Sequence, residues 1–264
     1  IKNILKAINV FKMAILNRTS KYPPEVLSFE NSFASYFNSK YGISFCNATT
    51  CFEASIYALN LKKGDKVIVT GLTFYSFINN MLLRGIDLIY MDIDDNLNIN
   101  LEESLIDSNT KMILVSHLFG IPQEIEKIID LASKYNLRII EDCSHAHGAF
   151  YDNKKVGSFA DISCFSLQGG KAVSAGEGGI SLTDNKEYLL KMSIYGHFNR
   201  HQKELALNNE LNKFSKTGLS KKLRANPLGI SFAAVDLKNL DKMNKEKLKI
   251  FQNIDKILEK YKSI

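Results

Sequence analysis

Little in this 264-residue chain points to metal or disulfide chemistry. There are only four cysteines: Cys46, Cys51, Cys143 and Cys164. No two of them form a Cys-x-x-Cys pair, and no histidine stands at zinc-finger spacing, which argues against a structural zinc site and leaves no metal site to assign. Cys143 and Cys164 lie in apolar, strand-like stretches, which fits a reduced, cytoplasmic protein rather than a disulfide framework. No apolar run reaches the length of a membrane span, and no internal repeat or low-complexity tract interrupts the pattern. The net charge is +6, yet the lysines are scattered. No basic stripe alternates with aromatics, so neither a nucleic-acid partner nor a membrane is indicated; part of the charge suits an anionic substrate. Residues 1–16 are apolar with interspersed lysines and read as an amphipathic helix, not a signal peptide, because no uninterrupted apolar core precedes a small-residue cleavage site. The chain starts without methionine and stops within a helical pattern, as a fragment would.

What the chain does have is alternation. Short apolar runs at 43–46, 66–70, 88–92, 112–117, 138–141, 162–167 and 179–182 read as strands. Helical patterns fall between most of them, at 50–61, 75–84, 123–135 and 186–195. Strand–helix alternation predicts an α/β fold with a mainly parallel mixed central sheet covered on both faces, a three-layer architecture. Ligands then bind beyond the carboxyl ends of the strands. From Leu228 apolar residues recur every three or four positions, which predicts one long helix reaching the end of the chain and bridging toward another domain or partner. The expected division is 1–227, a cofactor-binding large domain with an N-terminal helical segment, and 228–264, the helix leading to a smaller C-terminal domain outside this chain.

The chemistry concentrates in 139–182. One strand ends at Glu141-Asp142, a costly place for carboxylates without partners. Another ends at Ser166, before a Gly169-Gly170 turn and Lys171; a second glycine cluster spans 176–179 but lacks Walker or Rossmann spacing. Pyridoxal phosphate (PLP) needs a lysine amine to form an imine with its aldehyde, a carboxylate for its ring nitrogen, and hydroxyls with backbone N–H groups for its phosphate. It also needs an aromatic ring on one face. Lys171, Asp142, the Asn47–Thr50 strand-to-helix junction and the Thr73–Tyr75 junction offer these parts.

The segments EDCSHAHGA, DISCFSLQGGK and AGEGG, together with CNATTCFEA, LTFYSF, VSHLFG and LRANPLGISFAAVDLKNLD, resemble the DegT-type sugar aminotransferases. The likeness runs from about Phe29 to the end. It implies the fold of the large domain of fold type I PLP transferases. It also implies transfer of an amino group, from glutamate, to a keto group on a nucleotide-linked sugar, as in polysaccharide biosynthesis. By resemblance Lys171 is the Schiff-base lysine and proton carrier, and Asp142 the partner of the pyridinium nitrogen. His145 stands near the phenolic oxygen, where the family often has glutamine. Ser166 and Thr49 are phosphate ligands, the Ala48 N–H joins them, and Phe74 stacks on the ring. Ala48 replaces the usual glycine, which is tolerable only at negative φ. Lys222 and Arg224 occupy the places of an asparagine and an arginine that reach the phosphate from a neighbouring subunit, so a homodimer is implied; Lys222 departs in residue type. His117 and His147 read as mainly structural, and His197 in YGHFNR resembles a loop near the active site. Sugar dehydration is disfavoured because dehydrating members carry histidine at the Lys171 position. A cyclitol ketone as acceptor, or a truncated non-catalytic member keeping the fold, are the alternatives.

Overall fold

Along β4 (Thr110–Ser116) the side chains of Met112 and Leu114 enter one buried cluster, while Ile113 and Val115 enter another. A strand buried on both faces reads as a continuous apolar run, and this one is central to the sheet. The structure is a computed structural model and describes Ile8 and residues 23–261; but for Ile8, the amphipathic helix expected over 1–16 lies outside the described residues. Its elements begin with α1 (Pro24–Tyr36), β1 (Tyr41–Phe45), α2 (Ala48–Ala58), β2 (Lys66–Thr70), α3 (Tyr75–Leu83) and β3 (Asp87–Met91). After β4 come α4 (Ile125–Tyr135), β5 (Arg138–Asp142), a small hairpin of β6 (Phe150–Tyr151) and β7 (Lys154–Lys155), β8 (Ile162–Ser166) and β9 (Gly179–Thr183). The chain continues through α5 (Lys186–Gly196), the short α6 (Gln202–Ala206) and α7 (Pro227–Leu258).

Seven strands form one sheet in the order β1-β9-β8-β5-β4-β2-β3. β9 pairs antiparallel with both β8 and β1, and the pairs from β8 to β3 are parallel. The sheet is thus mainly parallel and mixed, as the alternation predicts. One face packs on α2, α3 and α5 through Phe52, Ile56, Phe77, Met81, Leu189 and Met192. The other packs on α1 and α7 at one end and on α4 at the other. The first half of α7 belongs to that core: Ile230, Ala233, Leu237 and Leu240 are buried. Its second half leaves Leu248, Ile250, Phe251, Ile254, Ile257 and Leu258 exposed.

All seven expected strands are present, with ends moved by one or two residues. The helix expected over 123–135 starts at Ile125 instead. Gln123 is drawn out of it by three hydrogen bonds: its N–H donates to His117 Nδ1 (3.1 Å), its Nε2 to Leu97 O (2.6 Å), and its Oε1 accepts the Ile99 N–H (2.9 Å). α1 was not among the expected helices. It buries Val26, Phe29, Glu30, Phe33 and Ala34, one face at helical spacing, and begins with a proline where the missing N–H costs nothing.

Candidate active site

The carboxyl ends of β1, β2, β4, β5 and β8 converge on one edge of the sheet, and the loops beyond them carry most of the expected site residues. Register fixes the neighbours: Ser116 of β4 pairs with Asp142, and Asp142 with Cys164 of β8. Thr73 Oγ1 lies 2.7 Å from Ser116 Oγ, which ties the loop before α3 to β4. Thr49 Oγ1 donates to Ser76 Oγ at 3.1 Å, which ties the start of α2 to the start of α3.

Asp142 ends β5 with 6% exposure. Its Oδ1 accepts the Ser144 N–H at 3.0 Å. Among the described residues it belongs to no ion pair, and burial raises its pKa against the pull of Ser144, His145 and His117. A buried carboxylate in this state calls for a cationic N–H, which a protonated pyridine nitrogen supplies. Its neighbour Glu141 is built differently. It is fully buried and accepts from His117 Nε2 (3.1 Å), the Gly157, Phe159 and Ala160 amides, and Ser163 Oγ (3.0 Å). Burial works to raise the Glu141 carboxyl, but these donors, His117 first, outweigh it and hold it below its usual range. Since His117 Nδ1 accepts from Gln123, its proton sits on Nε2, and both ring nitrogens are spent. His117, Glu141 and Cys143 lie close enough together to suggest a metal site. The His117 and Glu141 atoms are already engaged in holding β5, and burial pushes the Cys143 thiol well up, so the cluster is structural.

Lys171 is half-buried in the turn after β8. Burial lowers its pKa, and the charge of Asp142 opposes that shift. Lys171 and His145 line a cavity of about 790 Å³ with Phe119, His147 and, from α7, Asn244 and Lys247. Burial, then the Lys171 charge, push the His145 imidazole down, with Asp142 opposing. Phe74 is half-exposed at the N-terminus of α3, its ring against Tyr75 (4.6 Å) and edge-on to Phe77 (6.3 Å). His147 is buried edge-on between Phe33 and Phe165, and its pKa falls to about 3 through burial and the Lys171 charge. That fits its structural reading.

The start of α2 fits a phosphate. Asn47 caps the helix: its Oδ1 accepts the Thr50 N–H at 2.8 Å, and Thr50 closes the capping box. The N–H groups of Ala48 and Thr49, in the first turn, have no intrahelical acceptor and point where the helix dipole favours an anion. Ala48 is not among the residues at positive φ, which meets the condition set by the missing glycine. Gly179, opposite Ser166 in the β8–β9 ladder, packs directly on the Asn47–Ala48 peptide. Ser166 thereby comes beside the helix start.

Lys222 and Arg224 are placed elsewhere. Residues 222–224 add an antiparallel strap beside β1: Arg224 bridges to Phe45, Lys222 to His197, and Leu223 O accepts the Cys46 N–H at 2.8 Å. Both cations are exposed, and neither lines the Lys171 cavity of its own chain. His197 is buried under this strap against Phe45, outside the cavity lining. Sequence reasoning passed over Phe119, Asn244 and Lys247. The last two are three apart on one face of a predicted helix, a usable signal once that face was known to turn toward Lys171.

A sheet of this order, with a lysine-bearing turn after β8 and a capped helix after β1, is the fold of the large domain of fold type I PLP transferases. The solved aminotransferase from Psychrobacter cryohalolentis superposes with a TM-score of 0.86 at 28% identity, covering 97% of this chain and 67% of that one. The Bacillus subtilis protein ntda, solved with bound PMP, gives 0.73 at 25% identity over 90% of this chain and 53% of that one. The chain belongs to the DegT/DnrJ/EryC1/StrS aminotransferase family, whose sequence pattern matches residues 6–264. GDP-perosamine synthase of Escherichia coli O157:H7 is 34% identical over 198 residues, 69% of this chain and 54% of that protein. The chain spans about half the length of the curated relatives it matches.

Proposed function

We propose that the protein is the cofactor-binding part of a PLP-dependent aminotransferase that moves an amino group, from glutamate, to a keto group on a nucleotide-linked sugar. The observation that carries this reading is that Lys171 and His145 line one cavity while Asp142, buried at the end of β5, acts on Lys171 through its charge, with a helix start of unspent N–H groups after β1. Bound PLP supplies an electron-accepting ring that takes up negative charge developing on the substrate carbon. Asp142 would hold the ring nitrogen protonated. Ser166, Thr49 and the Ala48 N–H would hold the phosphate, and the half-exposed Phe74 would cover the ring. Lys171 would attach the aldehyde; its lowered pKa leaves more of its amine neutral, hence nucleophilic and able to accept a proton. After displacement by the donor amine, Lys171 would carry the proton to and from the substrate carbon. The nucleotide-linked acceptor rests on the family and on relatives such as GDP-perosamine synthase.

We further read residues 1–227 as the large domain, with 228–264 bridging from it. The active unit is a homodimer in the cytoplasm, in which Lys222 and Arg224 serve the partner's phosphate. Exposure of both cations outside their own cavity supports that arrangement. A mixed dimer of Lys171→Ala and Lys222→Ala chains should concentrate both defects in one site and spare the other. A fully active monomer overturns it. The reaction itself is tested with a panel of nucleotide keto-sugars and glutamate; turnover of none of them, by protein shown to carry PLP on Lys171, removes the proposed substrate class.

A further inference from the structure

The turn after β4 is folded around His145 in an unusual way. Phe119 has φ 56° and ψ 12°, a left-handed conformation that is strained for a bulky residue and persists only where its surroundings impose it. Gly120 follows at φ 85°, and a Cβ there would stand 3.2 Å from the His145 carbonyl oxygen. In this conformation the Phe119 N–H donates to His145 Nδ1 at 3.4 Å. The Phe119 ring lies nearly parallel to the imidazole, 18° apart with centroids at 6.1 Å. The same ring is 73% exposed, so apolar burial does not account for its placement. Strain of this kind gathers at functional sites.

We propose that Phe119 is a positioning residue whose peptide N–H occupies His145 Nδ1, so that the imidazole carries its proton on Nε2 and presents a hydrogen-bond donor to the Lys171 cavity. A neutral imidazole has one donor and one acceptor nitrogen, and which is which follows from the bond the other makes. Nδ1 accepts a hydrogen bond from the peptide N–H, so it is the acceptor and Nε2 the donor. Desolvation and the Lys171 charge keep His145 from taking a second proton. The chemical consequence rests on the function proposed above. A donor aimed at the phenolic oxygen of bound PLP stabilises its negative charge and makes the neighbouring lysine-linked nitrogen give up its proton more readily. A glutamine does the same work in one way only: Oε1 takes the Phe119 N–H and the amide NH₂ donates. His145 thereby equals a glutamine only while Phe119 holds its tautomer.

The first arm uses the full chain without cofactor and nitrogen-resolved NMR. A scalar coupling across the hydrogen bond is expected between the Phe119 amide nitrogen and His145 Nδ1, with the proton on Nε2 near neutral pH. Phe119→Pro deletes the N–H, so the coupling has no donor and the second tautomer should appear, whereas Phe119→Gly, which takes φ 56° freely, should keep the proton on Nε2. A proton on Nδ1 in the unaltered chain, or a proton held solely on Nε2 in Phe119→Pro, overturns the proposal. The second arm follows the visible absorbance of PLP-loaded protein against pH. His145→Leu should raise the midpoint of the colour change by about one pH unit, and His145→Gln should leave it within a few tenths. Phe119→Pro should weaken PLP binding roughly threefold to tenfold, as the loss of one oriented hydrogen bond would. Equal midpoints in His145→Leu and the unaltered protein also overturn it. Failure of PLP to attach to Lys171 sinks the proposed function instead, and the coupling in the cofactor-free chain is read independently of it.

Discussion

Gly179 and Ala48 touch through their backbones: a Cβ on Gly179 would stand 2.6 Å from the Ala48 nitrogen and from the Asn47 carbonyl carbon. This contact brings the β8–β9 ladder, and with it Ser166, against the start of α2. A side chain at 179 has nowhere to go, because its obstacle is the main chain at the start of α2. Gly179→Ala should therefore displace the helix start. The expected cost is about 1–3 kcal/mol in urea unfolding, with PLP affinity down roughly tenfold or more. Unchanged PLP affinity would show that the α2 start does not hold the phosphate.

Lys171 and Asp142 should separate attachment from chemistry. Borohydride should fix the cofactor's absorbance to the peptide containing Lys171, and Lys171→Ala should lose that label entirely. Asp142→Asn should keep the fold and some PLP but lower turnover by about a hundredfold or more, because an unprotonated pyridine is a poor electron sink. Near-normal turnover in Asp142→Asn means that another carboxylate serves the ring.

The pKa shift of Asp142 adds a stability test in the cofactor-free chain. Its folded pKa is raised by burial, so its contribution is fully present below its ordinary value and is lost as pH rises through the raised folded value. Asp142→Asn removes that loss. Its melting temperature relative to the unaltered chain should climb across the acid range and level off near neutral pH. A flat difference across that range contradicts the raised pKa.

His145 was named only through the family resemblance, but strand positions, and with them the places of Asp142, Ser166 and Lys171 at or just beyond strand ends, were legible in the sequence for one reason. Apolar runs buried on both faces stand out locally, and in a parallel sheet the chemistry follows at their carboxyl ends. What was not legible depended on distant partners. α1 hides a buried Glu30 on its apolar face, which reads as an interruption until Arg200 is seen to meet it. The start of α4 moved because Gln123 serves the loops at 97–99 and His117. The β6–β7 hairpin is two residues a side and mostly exposed, too short for a period to register. Nothing local marks a phenylalanine as left-handed, so Phe119 could be quoted within VSHLFG without its role being seen.

The Glu30–Arg200 pair itself should be sharply asymmetric under mutation. Arg200 Nη1 and Nη2 donate to the two Glu30 oxygens at 3.0 and 2.6 Å, and Oε1 also accepts the Ser44 N–H and hydroxyl at 2.7 Å. Both side chains are buried. Arg200→Met leaves a desolvated carboxylate and should cost about 3–5 kcal/mol in urea unfolding. Adding Glu30→Met should recover much of that loss, since an apolar pair needs no solvation. Two losses that simply add would mean the residues do not act on each other.

His147 should set part of the acid limit of the fold. Its ring lies edge-on to Phe33 and Phe165, with 5% exposure. Its Nε2 is buried without a hydrogen-bond partner in the structure. Protonation there would place a cation among aromatic rings, near the Lys171 charge, so the folded pKa falls from 6.5 to about 3. A depressed folded pKa means that unfolding takes up a proton. The stability tied to neutral His147 is complete above about pH 6.5 and is lost as pH falls toward about 3. The slope through that window approaches 1.4 kcal/mol per pH unit for one full proton, or roughly half that once residual compactness of the unfolded chain and coupling to Lys171 are counted. His147→Leu should lose some ring packing at neutral pH, at about 1–2 kcal/mol, yet flatten the acid limb. The two stability curves, from urea midpoints at half-unit pH steps, should converge or cross on the acid side. Parallel curves would mean that His147 carries its proton in the folded chain, paired with a group outside the contacts described.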